Sequence, residues 1–243
     1  MDKVKAVLTL AAALAFALSP LLSDGFAGFT PDQFPVPQVD PPAQPAGYAF
    51  AIWGLIYLWL IAGAAFGLLN RDIDRGWDRA RWPLIASLVV GAAWIPAAQV
   101  SPPAATVMIW WMAVTAILAL LRAGRHDRLW LQAPLALYAG WLTAAACVAL
   151  ALVLAGHGIT GQQSAAVLTI ALALAISVSV LRARPAAPEY AAAVVWALVA
   201  IGAANASGPD APNWTVLALC AAGVALLVGQ VWARLHSSGG DAA

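Results

Sequence analysis

The chain has 243 residues, of which 63% are hydrophobic and only 9% are charged. Soluble domains carry about 25% charged residues, so this composition excludes an ordinary soluble protein and predicts an all-α, polytopic protein embedded in a lipid bilayer. A net charge of +1 provides no basic surface for nucleic acid, and no nucleic-acid partner is expected.

The first apolar run, 4–22, has Lys3 just before it and Lys5 at its start. A basic start before an apolar core is typical of a signal peptide, but this run is long for one, and no clear cleavage site follows it. We favour a retained first helix, with a cleaved signal as the alternative. In both cases the amino end starts on the cytoplasmic side.

The connector that follows, 23–46, contains six prolines, Asp24, Asp32 and Asp40, and no lysine or arginine. Such a segment does not form a core of its own and is expected to be partly extended. A solvated linker is the commoner case, and a lid over the rest of the protein is the alternative.

The second apolar run, 48–69, is long enough to cross a bilayer at about 1.5 Å per residue. Its first turns carry four aromatic residues, Tyr48, Phe50, Trp53 and Tyr57. Because Trp53 and Tyr57 are four positions apart, they share one face of a helix. The cluster fits either an aromatic belt at the membrane interface or the wall of a pocket for a planar apolar ligand.

Six further apolar runs complete a predicted bundle of about eight transmembrane helices. Cys147 and Cys220 lie inside two of them and are expected to be small buried side chains rather than a disulfide or metal ligands. The six runs are at about 83–100, 104–121, 131–154, 164–181, 190–206 and 214–233.

The basic residues fix the expected orientation. With eight spans and both termini cytoplasmic, all 12 lysines and arginines fall in cytoplasmic connectors or tails, while the outer connectors carry only aspartates. The predicted location is therefore a plasma (inner) membrane, crossed several times. The outer aspartates are Asp24, Asp32, Asp40 and Asp210.

Catalytic chemistry is not visible in the sequence. Apart from Lys5 at the start of the first run, no predicted span contains a charged residue or a histidine. This argues against an ion-driven pump, although sodium sites made of carbonyl and hydroxyl groups stay open. His126, His157 and His236 lie in separate connectors or the tail, so no metal site is predicted. His157 either faces water or contacts a ligand, and Gln99 bonds either a neighbouring helix or a ligand.

Two further aromatic motifs follow the one in the second span. The third span has Trp94 and Pro96, and the fifth has Tyr138 and Trp141. The ordered set resembles the TspO/MBR family of tryptophan-rich sensory, or translocator, proteins. The patterns of that family are Pro-Gly-aromatic-x-Phe with Trp-x-x-x-Tyr, then Asn-x-x-Trp-x-Pro, then Tyr-x-x-Trp.

The resemblance covers about residues 1–155. Gly91 and Ala149 stand where the family has asparagines, and Phe50 is one residue closer to Trp53 than in the family pattern. We therefore expect a TspO-like five-helix bundle over 1–155, with the long first loop 23–46. Three additional transmembrane helices and a short cytoplasmic tail would follow over 156–243.

The resemblance implies a pocket beneath the first loop that binds a porphyrin, another tetrapyrrole or a similar planar hydrophobic molecule, with no cofactor required. The alternatives are a transporter of a small hydrophobic solute and a structural membrane subunit without a ligand. An enzymatic role is not expected, and a homodimer is left open. The candidate ligand-binding residues are Tyr48, Phe50, Trp53, Tyr57, Trp94, Gln99, Tyr138 and Trp141.

Overall fold

A computed structural model describes residues 2–22, 26–207 and 211–237. Within these ranges the regular structure is entirely helical, which confirms the all-α fold class. Asp24 and Asp210, which the orientation prediction placed outside, are not among the described residues. The α-helices are α1 (Asp2–Leu18), α2 (Ile52–Asn70), α3 (Arg75–Ala92), α4 (Trp94–Val100), α5 (Pro102–Arg122), α6 (Ala133–Gly156), α7 (Gln162–Ala183), α8 (Pro188–Ser207) and α9 (Trp214–Ser237).

The number of helices able to cross a membrane agrees with the predicted eight. Seven helical segments in the described ranges are long and apolar enough to span a bilayer, and the bent pair α3 and α4 brings the number to eight if it crosses as one broken span. The protein is therefore a multi-pass membrane protein.

The third predicted span corresponds to α3 and α4. It begins at Arg75 rather than at about residue 83, because the Asp74 carboxylate accepts a 3.0 Å hydrogen bond from the backbone N–H of Trp77 and caps the helix. Helix α3 ends at Ala92, and α4 continues at an angle of 43° to Val100, close to the predicted end of the span. The bend is explained by Pro96, which has no N–H to donate to the carbonyl of Ala92.

Helix α6 is the centre of the bundle. It packs against α2, α5, α7 and α8. In its segment Arg128–Gly156, 72% of the most apolar 18-residue stretch is buried. Helices α1, α2 and α3 pack together, and α9 packs against α7 and α8. The proposed division after residue 155 falls at the end of α6, which contacts helices from both parts. The division itself stays a prediction.

One end of the bundle, which we call the charged end, is formed by the connectors α2–α3, α5–α6 and α7–α8. Three ion pairs link these connectors and their neighbours: Lys5 with Asp78 at 2.7 Å, Arg71 with Asp127 at 2.8 Å, and Arg128 with Glu189 at 2.7 Å. Basic residues of the predicted cytoplasmic connectors thus lie together at one end.

Arg81 belongs to helix α3 rather than to the connector in which it was expected. Its side chain is only 3% exposed and donates hydrogen bonds to the carbonyl oxygens of Gly67, Arg71 and Asp72. These carbonyls end α2 and begin the following turn, where the helix leaves acceptors without helical partners. Arg81 therefore fixes α3 against the end of α2.

Asp127 is expected to make the stability of the charged end pH-dependent. Its carboxylate accepts hydrogen bonds from Arg71 and from the Trp77 indole N–H, and the Arg71 guanidinium holds the pKa of Asp127 below its usual range. Because the pKa of Asp127 is lower in the folded state, its ionised form stabilises the fold at pH values above the unfolded pKa, which is near 4. This contribution to the free energy of unfolding is lost as the pH falls through the lower pKa of the folded state.

We expect Asp127→Asn to lower the free energy of unfolding at pH 7 by about 0.5–1 kcal/mol and to leave less stability to lose on acidification. Asparagine tolerates the left-handed backbone at this position, where φ is 55°. Thermal unfolding followed by circular dichroism at pH 7 and at about pH 2.5, below the unfolded pKa, measures both effects. A variant that loses as much stability on acidification as the parent would contradict this role of Asp127.

The opposite end of the bundle, which we call the connector end, is covered by residues 26–46. Phe29 and Phe34 are buried, at 8% and 5% exposed, so this part of the chain is packed and is not a solvated linker. Gly156, at the end of α6, has no side chain, and the ring of Phe34 occupies the space where a Cβ would lie. Residues 26–46 therefore have the position expected of a lid.

Hydrogen bonds attach this connector to three helices. Gln33 donates through its side chain to the carbonyl of Ala98 in α4 at 2.9 Å. The backbone N–H of Val36 donates to Gly156 in α6 at 2.8 Å, and that of Ala46 donates to Ala200 in α8 at 3.0 Å. The connector is thus fixed at three separate points above the bundle.

Candidate functional site

A narrow cavity of about 50 Å³ lies beneath the connector, where α2, α4, α5, α6 and α8 meet. Four of the eight candidate residues line it: Phe50, Trp53, Trp94 and Trp141. Its other walls are mainly apolar. We call this space the aromatic cavity.

The rings around the aromatic cavity pack edge to face. Trp141 lies perpendicular to Trp53, with ring centroids 6.0 Å apart, and to Phe50, at 6.2 Å. Phe26 of the connector places its ring 4.7 Å from that of Trp94. This geometry is the favourable one for aromatic pairs and fixes the orientation of each ring.

Two of the tryptophans are held in place from behind. Trp94 donates its indole N–H to the carbonyl of Ala105 in α5, at 2.8 Å. Trp53 stacks on Tyr57, with centroids 5.4 Å apart and planes 17° apart, and both rings contact Phe16 of α1. Tyr57 therefore shares a face with Trp53, as its spacing indicates, but supports the wall rather than lining it.

Tyr138 is fully buried and does not line the aromatic cavity. Its hydroxyl is 2.8 Å from the hydroxyl of Ser87, which donates to the carbonyl of Met112. This network joins α3, α5 and α6 below the cavity. Its ring also contacts Phe16. Tyr138 thus holds together the helices that carry the cavity walls.

Tyr48 and Gln99 lie outside the aromatic cavity. Tyr48 belongs to a short 3-10 helix, Gly47–Ala51, and its 48% exposed ring packs against Trp196 of α8. Gln99 is exposed at the end of α4, where its backbone carbonyl accepts a hydrogen bond from Gln33. The bend before α4 and the 3-10 turn carry these residues away from the position that a regular helix would give them.

The indole N–H of Trp141 is the unusual polar group of the site. Trp141 is 2% exposed, and its nitrogen has no hydrogen-bond partner. Leaving a buried donor unpaired costs about 1–3 kcal/mol, which an acceptor on a bound molecule would offset. The ring of Trp141 lines the cavity, so its N–H is the first candidate to bind a polar atom of a ligand.

Several lining residues were not predicted from the sequence. Phe26 and Phe29 come from the connector, and Ala197 comes from α8. On α6 the wall continues along the helical face of Trp141, at spacings of three, four, seven, eight and eleven residues. That spacing of small residues after Trp141 is a signal that the sequence contains. The α6 residues are Ala144, Ala145, Val148, Ala149 and Leu152.

The two positions at which the TspO/MBR pattern has an asparagine, Gly91 and Ala149, have clear structural roles. A Cβ at Gly91 would lie 2.6 Å from the Phe16 ring, so the glycine allows α1 to pack closely against α3. Ala149 lines the aromatic cavity, where an asparagine would add a polar group. The site is therefore more apolar than the family pattern implies.

Histidines and acidic residues add no metal chemistry to the site. In the ranges that the structure describes, no group of three or more His, Cys, Asp or Glu side chains could hold a metal ion. His157 is exposed near the connector, with its Nδ1 3.0 Å from the carbonyl oxygen of Val153. It does not line the aromatic cavity.

Comparison with known proteins identifies the family. The model of the family described as "TSPO-like protein" matches residues 27–232, from the connector into α9. The likeness is thus not confined to the first five spans but extends through the C-terminal helices. Neither the curated proteins nor the solved structures give a significant match. Since the family model covers most of the chain, the protein belongs to the TSPO-like family.

Proposed function

We propose that this membrane protein binds a planar hydrophobic ligand, a porphyrin or a similar conjugated ring system, in the aromatic cavity. One observation supports this most strongly: three separate parts of the chain contribute aromatic rings to the same apolar space, namely Phe50 with Trp53, then Trp94, then Trp141. Flat aromatic walls with few polar groups suit a flat conjugated molecule.

The cavity is too small for an organic ligand in this structure. Its volume of about 50 Å³ is far below the roughly 300–1,000 Å³ of pockets that hold organic ligands. Phe26 and Phe29 of the connector take up the space between the tryptophans and the connector end. A tetrapyrrole therefore binds only when these rings move outward, and the connector acts as the lid.

The direct test is a titration of the purified protein in detergent with protoporphyrin IX, followed by quenching of tryptophan fluorescence. We expect saturable one-site quenching that the double variant Trp53→Ala, Trp141→Ala loses. The matched control is Trp82→Ala, Trp214→Ala, which removes two tryptophans that are 54% and 73% exposed. It tests whether quenching comes from porphyrin dissolved in the micelle.

The double variant must remain folded for the comparison to count, and circular dichroism and gel filtration check this. Equal, unsaturable quenching in the parent and both variants would contradict the proposal and leave the aromatic cluster a packing feature. A third variant, Trp141→Phe, keeps the ring and removes the N–H. We expect it to weaken binding about threefold to tenfold if this donor meets an acceptor on the ligand.

We further propose that the charged end faces the cytoplasm of a plasma (inner) membrane, with both termini on that side. The 12 lysines and arginines lie at or near the charged end, in keeping with the excess of basic residues in cytoplasmic loops. The connector and the aromatic cavity then face the outer side. Labelling of single cysteines at Val36 and Ile73, both exposed, with a membrane-impermeant maleimide tests this orientation.

A further inference from the structure

A second cavity adjoins the aromatic cavity at the connector end. Its volume is about 300 Å³, and it lies between residues 39–46 of the connector, the facing ends of α7 and α8, and Ala211 and Asn213 just before α9. Gln44 and Pro45 line both cavities, so they form the partition between them. We call the second cavity the vestibule.

The lining of the vestibule is polar, whereas that of the aromatic cavity is apolar. Its polar side chains include Asp40, Gln44 and Gln162. Two asparagines complete the set but are largely committed to the protein: Asn205 donates to the carbonyl of Pro42, and Asn213 exchanges hydrogen bonds with Gln163. A ligand with an apolar ring system and a polar substituent would match these two linings, with the ring system in the aromatic cavity and the substituent in the vestibule.

The charge that lines the two cavities is negative. The lining of both cavities includes one charged residue, the Asp40 carboxylate, and no lysine or arginine. The residues of the chain that the structure does not describe contain no lysine or arginine either. An anionic substituent moved from water into this region would lose hydration without meeting a counter-ion.

We infer that the ligand of the aromatic cavity carries an uncharged or cationic polar substituent, which occupies the vestibule across Gln44 and Pro45, rather than a carboxylate. This inference rests on the proposed function, since it concerns the same ligand. Asp40 favours a cation, and the amide of Gln44 hydrogen-bonds either an uncharged or a charged group.

Three forms of one ring system test the charge preference: protoporphyrin IX with two carboxylates, its uncharged dimethyl ester, and a diamide bearing two tertiary amines. Titrations in a non-ionic detergent at low salt avoid charge on the micelle. We expect the diamide to bind at least about threefold more tightly than the acid, and the difference to shrink at 0.5 M salt.

Three variants separate the ligand preference of the protein from partition into the detergent, because the partition of each ligand into micelles is the same for every variant. Asp40→Asn is expected to reduce the preference for the diamide, whereas Asp32→Asn, on the same connector but outside the vestibule lining, leaves it unchanged. Gln44→Lys is expected to shift the preference towards the acid. Asparagine tolerates the φ of 44° at Asp40.

The outcomes distinguish this inference from the proposed function. Saturable binding of all three forms, with the acid bound as tightly as the diamide, would overturn the charge inference and leave the ligand site in place. An unchanged preference in both Asp40→Asn and Gln44→Lys would also overturn it. Failure of all three forms to saturate would overturn the proposed function and the inference with it.

Discussion

Gly140→Ala is expected to lower the free energy of unfolding by about 1–3 kcal/mol, because it forces apart two helices of the core. A Cβ at this position in α6 would meet the carbonyl oxygen of Tyr190 and lie 3.0 Å from the Cα of Tyr190 in α8. These are backbone atoms, which cannot rotate away. Small residues at helix interfaces permit this close approach in membrane proteins.

The same displacement would break a buried hydrogen bond. The hydroxyl of Tyr190 is 2.6 Å from that of Thr143, one turn after Gly140, and both side chains are buried. The loss would therefore include this interhelical hydrogen bond as well as the steric clash. Apparent melting temperature in detergent, measured at one heating rate, reports the combined effect.

Gly229→Ala is the matched control, since it makes the same chemical change in helix α9. Nothing lies within 4 Å of a Cβ at Gly229, and alanine has a helix propensity better than that of glycine by about 1 kcal/mol. We expect this variant to be as stable as the parent or slightly more stable. A melting temperature for Gly140→Ala equal to that of Gly229→Ala would mean that α6 and α8 are not packed this closely.

Phe26→Ala is expected to tighten porphyrin binding about tenfold. Phe26 packs against Trp94, Phe29 and Phe50, inside the space that a planar ligand would need. Each of these contacts must break before the ligand enters, so they reduce the apparent affinity by favouring the closed state. Removing a half-buried phenyl ring lowers that cost by about 1–2 kcal/mol.

Val36→Ala is the control for this prediction, because Val36 lies on the same connector, is 48% exposed and does not line the aromatic cavity. We expect its affinity for protoporphyrin IX to equal that of the parent. Weaker binding by Phe26→Ala would contradict the displacement of Phe26 and would show that its ring packs against the bound ligand.

The spans were predictable from the sequence because hydrophobic runs and basic connectors are local signals. The start of α3 was not, since Arg75 to Arg81 has the composition of a connector. This segment is helical because Asp74 caps it and Arg81 binds the end of α2, and both interactions depend on the tertiary fold.

The aromatic cavity was predicted in part. Trp53, Trp94 and Trp141 come from motifs within single helices, and helical spacing places them on inward faces. Tyr48, a candidate because it belongs to the aromatic cluster before Trp53, precedes α2 in a 3-10 turn with three residues per turn and packs against Trp196 instead. Phe26 and Phe29 lie in a proline-rich connector whose path no periodicity reveals.

Photolabelling most directly tests whether the aromatic cavity is the ligand site. A diazirine derivative of protoporphyrin IX dimethyl ester would be bound to the protein, irradiated, and the labelled peptides mapped by mass spectrometry. We expect labels between Phe50 and Trp53 and along the Trp141 face of α6, from Ala144 to Leu152, all removed by excess unlabelled ester. Labels confined to span ends, at Trp82, Trp214 and Trp232, or labels that excess ester leaves in place, would contradict binding in the aromatic cavity.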